Sequence, residues 1–190
     1  MLPRWELDKA TAVILYLVER VPPWRRRVDV VCGLIFHADR LHLSRHGRLI
    51  TRDDYAAVHD GMRPLKTYRL LVENDSDEFC FVDMPFNLND PDSIIMHDMI
   101  LIHPSDRMKL SRSDEECLDE TLQWYRHAGP RQWKGCVRGT LWHEVSQSGA
   151  LFRGEGKSRE LPVPLETIAA SLPNAAEVIA HLHWLQGNYE

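Results

Sequence analysis

The sequence has no paired cysteines, no long apolar run and no excess of positive charge, and each absence removes a class of protein. Cys32, Cys80, Cys117 and Cys136 are scattered with no Cys-x-x-Cys pair. Such spacing excludes the paired-thiolate zinc modules and the thioredoxin-like redox motif. Cys32 and Cys117 fall beside apolar neighbours in helical patterns, the setting of buried reduced thiols and so of a cytoplasmic protein. The apolar stretch from Ala12 to Val18 is too short to span a bilayer. The start, Met1-Leu2-Pro3-Arg4-Trp5-Glu6-Leu7-Asp8, lacks the basic-then-apolar layout of a signal peptide. No membrane partner is expected. Lys and Arg total 23 against 28 Asp and Glu, a formal charge of −5, and a mildly acidic chain is a poor generic nucleic-acid binder.

Catalytic motifs are missing too. Ser146-Gln147-Ser148-Gly149 lacks the first glycine of a nucleophile elbow. His143-Glu144 has no second histidine at helical spacing, so the zinc-protease motif fails. Gly154-Glu155-Gly156-Lys157-Ser158 ends like a phosphate-binding loop, but Leu151 stands where the first glycine belongs. Pro162 and Pro164 also come too soon for the helix that must follow. The reading is an exposed loop, with no catalytic residue and no cofactor.

What is present suits an ordinary globular chain. Its 190 residues are 44% hydrophobic and 27% charged, enough for a core without staples. Leu7, Ala10, Val13, Ile14, Leu17 and Val18 predict a helix over 7–20, ended by Pro22-Pro23. Val30, Val31, Leu34, Ile35, Ala38, Leu41 and His42 predict a long helix from Arg27 to Arg45, closed by Gly47 and central to the core. Leu49-Ile50 and Tyr55 to Val58 read as extended. Gly61 and Pro64 mark a turn, and Pro64 suits the first position of a helix through about Glu73. Asn74 to Asp77 reads as a loop. Phe79, Phe81 and Val82, then Ile94-Ile95 and Met99 to Ile102, suggest an antiparallel hairpin. Ser113 with Glu116 reads as the cap of a helix that Leu118, Leu122 and Tyr125 continue and Gly129-Pro130 stops. A short helix over 131–137, a loop over 146–159 and two last helices near 165–170 and 175–185 complete the pattern. The fold class is α+β, mainly α-helical, with a small hairpin or sheet.

Two clusters invite chemistry. Asp39, His42 and His46 lie at i, i+3 and i+7, so one helical face could present all three to a metal ion. No fourth ligand from a Cys or His pair is placed to close the set, and a polar stripe bonded within the fold explains them better. Trp24, Arg25, Arg26 and Arg27 form the one concentrated basic cluster. It works against the dipole of the helix it precedes, which favours a contact role, to phosphate or to an acidic protein surface. Asp53-Asp54 and Glu115-Glu116 are adjacent, and adjacent side chains diverge. His181 and His183, two apart, fall on different faces of a helix.

The segment Phe36-His37-Ala38-Asp39-Arg40-Leu41-His42-Leu43 is followed by Gly47-Arg48-Leu49-Ile50-Thr51, then Tyr55-Ala56-Ala57, Gly61-Met62-Arg63-Pro64 and Tyr68. This order resembles the Panacea domain of SocA-like antitoxins. Leu110-Ser111, Leu118-Asp119-Glu120 and Trp142-His143 are similar to its later motifs. Gly61-Met62-Arg63-Pro64 stands where the family has Gly-Pro-Val-Pro, and His37 separates a Phe-Ala pair that is contiguous there. The resemblance implies a domain over 1–145 and an extension over 146–190, a loop followed by helices packed on the same domain. It implies the antitoxin of a toxin–antitoxin system, common in prophage settings, that neutralises its cognate toxin by direct binding. Neutralisation would proceed by covering the toxin's active site or by carrying the toxin to a protease. Phe36, Ala38, Asp39, His42, Gly47, Ile50, Tyr55, Gly61, Pro64 and Tyr68 are the family-motif residues, expected to hold the fold. Trp24 to Arg27 are the partner-contact candidates. Two alternatives stay open: a nucleic-acid-binding regulator of its own operon, and a metal-dependent enzyme built on Asp39, His42 and His46.

Overall fold

The computed structural model describes residues 5–22, 28–58, 61–72, 86–87, 100–101, 107–128 and 160–189. The Trp24 to Arg27 cluster, Cys80, Cys136, the loop at 74–77, the strand at 79–82, Ile94-Ile95, the helix at 131–137, Trp142-His143 and the loop at 146–159 lie outside them. Among the described residues the fold is mainly helical with a small antiparallel sheet, the class that the apolar spacing predicts.

Helix α1 spans Leu7–Arg20 and buries Ala10, Val13, Ile14, Leu17 and Val18, the stripe predicted for it. Helix α2 spans Val28–His46. It is buried on nearly every side, from Val28 through Leu34 and Ile35 to Leu43, which makes it a central core helix. Gly47 ends it at φ +67°, with its N–H donating to the Leu43 carbonyl at 2.9 Å. A left-handed residue in that position satisfies a carbonyl the helix leaves open.

Strand β1 (Tyr55–Val58) pairs antiparallel with β2 (Gly61–Pro64), Tyr55 opposite Pro64 and Val58 opposite Gly61. Gly61 and Pro64 therefore bound a strand, where the sequence suggests a turn. Pro64 lacks an N–H, which costs nothing at the end of an edge strand. Helix α3 (Leu65–Val72) begins one residue after Pro64. Strands β3 (Phe86–Asn87) and β4 (Ile100–Leu101) form a separate antiparallel pair, with β4 inside the stretch expected for it.

A 3-10 turn at Arg107–Lys109 leads to α4 (Arg112–His127). Ser111, not Ser113, caps α4: its hydroxyl accepts from the Asp114 N–H at 3.3 Å, and Asp114 accepts from the Ser111 N–H at 2.8 Å. The sequence offers two overlapping Ser-x-x-acid frames. The earlier one prevails because Asp114 is also bonded from α1 and α2, as described below. Strand β5 (Leu161–Val163) joins β1 on its other edge, and α5 (Leu165–Ala170) and α6 (Ala175–Tyr189) follow. Asn174 ties their corner to α2, accepting from the Ser44 hydroxyl at 2.7 Å and donating to the Ser44 carbonyl at 2.8 Å.

Two hydrophobic clusters share α2. One joins α1, α2, α3 and α4 around Ile14, Leu17, Leu34, Ile35 and Leu118. The other joins Phe36 and Leu43 of α2 to β1, β2, β5, α5 and α6 around Tyr55, Met62, Val163, Ile168 and Leu182.

Candidate functional site

Asp39 organises the chain that leaves α2. Its carboxylate accepts from the Ile50 N–H at 2.8 Å, the Thr51 N–H at 3.1 Å, the Thr51 hydroxyl at 2.5 Å and the Tyr55 hydroxyl at 2.8 Å. The group is 1% exposed. Burial pushes its pKa up, against hydrogen bonds that pull it down. Burial and the Asp39 charge together hold the Tyr55 phenol well above its ordinary range, so it stays a donor. The Tyr55 ring lies 5.1 Å from that of Phe36, so the motif aromatics form the seam between α2 and β1.

Asp53 continues the same frame. It accepts from the Lys66 and Thr67 amides at 3.0 and 2.7 Å. These are open donors at the start of α3, and Pro64, next to that start, has no side chain to cap them. Asp54 turns instead to Lys66, at 3.1 Å, so the adjacent acids diverge as their spacing requires. Between these anchors Arg52 adopts φ +55°. A non-glycine residue there is strained by about 1 kcal/mol or more. Thr51, held by Asp39, and Asp53, held by α3, flank it on either side.

A second buried carboxylate, Asp114, joins α1, α2 and α4. Lys9 lies 2.7 Å from its Oδ2, and His42 Nε2 lies 3.2 Å from its Oδ1. Burial raises its pKa, but the His42, Lys9 and Ser111 hydrogen bonds outweigh that and hold it well below the carboxylate range. His42 Nδ1–H donates to the Arg48 carbonyl at 2.8 Å, and Nε2 lies 3.2 Å from the Ser113 hydroxyl.

The metal alternative meets this geometry directly. Asp39 faces the 50–55 segment, His42 faces Arg48 and Asp114, and His46 packs its ring on that of His42 at 4.5 Å. Among the described residues no group of three or more His, Cys, Asp or Glu is placed to hold a metal ion. Cys32 and Cys117 are buried free thiols. Burial pushes the Cys32 pKa up to about 12 and raises that of Cys117, which makes both poor nucleophiles.

An open cleft of about 450 Å³ lies between the end of α2, the 47–55 segment, β5, α5 and α6. Leu165, Ile168, Leu182 and Leu185 give it an apolar wall; His46, Arg48, Arg52 and His181 supply polar groups. His181 packs so close to Gly47 that a Cβ on that glycine would meet its Cδ2 at 2.3 Å. Arg48 Nη2 reaches Asp114 at only 3.5 Å, and its Nη1 is shut from water with no acceptor. Arg52 reaches Glu6 at 3.4 Å. On α6, beside His181, Trp184 is 61% exposed, its ring 6.1 Å from that of His181.

The structure brings Phe36, Ala38, Asp39, His42, Gly47, Ile50 and Tyr55 into one scaffold around α2. Tyr68 sits on α3 with the Arg63 guanidinium 3.9 Å over its ring. Sequence reasoning missed Lys9, Arg48, Asp53 and Asp114. Asp114 alone carried a signal, as the acid of the Ser111 frame. His37, which interrupts the Phe-Ala pair, stacks on Trp124 at 4.9 Å and so joins α2 to α4. Among the described residues no helix is long and apolar enough to cross a membrane. No family model, no curated protein and no solved structure matches the chain.

Proposed function

We propose that this chain is an antitoxin that neutralises a cognate toxin by binding it in a stoichiometric complex. One observation carries the reading. The residues that resemble the SocA-like pattern, Asp39, His42, Gly47, Ile50 and Tyr55, bond to one another and to the backbone, and the cleft they support is walled by apolar side chains. Its acids are already engaged, Asp53 by the α3 amides and Asp54 by Lys66. Here the buried acids face inward, and the open surface suits being covered by a partner.

The experiment is co-expression with the product of each gene adjacent to its own. One such product should arrest growth alone, lose its toxicity when this chain is present, and copurify with it in a fixed ratio. Relief of no growth arrest by any pairing, or turnover of a small molecule by the purified chain, contradicts the proposal.

A further inference from the structure

We draw no further inference here: the strongest candidate, the cleft between the end of α2, the 47–55 segment and the α5–α6 wall, carries nothing because its lining holds as many Asp as Arg and nothing in the structure shows what covers it.

Discussion

The two hydrophobic clusters that share α2 differ in how completely they close. On the α1–α4 side, Ile14, Leu17, Leu34, Ile35 and Leu118 are fully buried. Several polar groups on that side pair with each other, as Lys9, His42 and Asp114 do, or Tyr16 and Asp119 at 2.9 Å, while the Thr11 hydroxyl of α1 is buried without a hydrogen-bond partner among the described residues. On the β1–β5–α6 side the packing is equally dry at Ile168 and Ala169 but stops at an open cleft. That side holds the strained Arg52, the unmet Arg48 Nη1 and the exposed Trp184. One helix serves both, so stability and recognition can reside on opposite sides of the same element.

Substitutions on each side can break or sharpen that contrast. The largest effect is expected where the two sides meet. Asp39→Ala orphans the Ile50 and Thr51 amides and two buried hydroxyls. It should lower unfolding free energy by about 4 kcal/mol and abolish partner binding, as read by urea denaturation and pull-down. Leu118→Ala acts on the closed side alone. It should cost about 3 kcal/mol yet leave affinity for the proposed partner unchanged in the folded protein; a large loss of affinity would erase the distinction. Gly47→Ala combines a positive φ with the His181 contact. It should cost about 2 kcal/mol and weaken binding by displacing α6, which titration calorimetry would read. Ser111→Ala removes the α4 cap and should cost about 1 kcal/mol with no change in binding.

Acid pH separates the two buried carboxylates. Asp114 is depressed in the folded state. Its contribution is therefore present above the unfolded value, about 3.9, and is lost as pH falls below it. Asp39 and Asp53 are raised, so their protonation on acidification favours the fold. The Asp114 contribution is read as the difference in melting temperature between the wild type and Asp114→Asn, measured from pH 7 to 3. As pH falls below about 4, the wild type should lose melting temperature relative to Asp114→Asn; a difference that stays constant with pH would mean that Asp114 carries no such contribution.

Local patterns made much of the fold legible. The one-sided apolar spacing of α1 and the Gly47 stop of α2 are local, as are the apolar residues of α6. The start of α4 was misplaced by two residues because Ser113–Glu116 and Ser111–Asp114 are equally good frames locally. The choice depends on Lys9 and His42, far away in the chain. Asp53 was read only as half of an acidic pair, since the amides it caps begin 13 residues later. The cleft was not legible at all. It joins the 46–55 segment to 163–185, and no periodicity records that Leu165 and Leu185 share a wall with Arg48.

The direct test of a closed side for stability and an open side for recognition is amide hydrogen exchange of this chain, free and bound to the partner proposed for it. Binding should slow exchange in residues 46–55 and 161–185 and leave α1 and α4 unchanged. Slowing centred on α1 and α4, or on the Trp24 to Arg27 cluster with the cleft unaffected, would contradict the account.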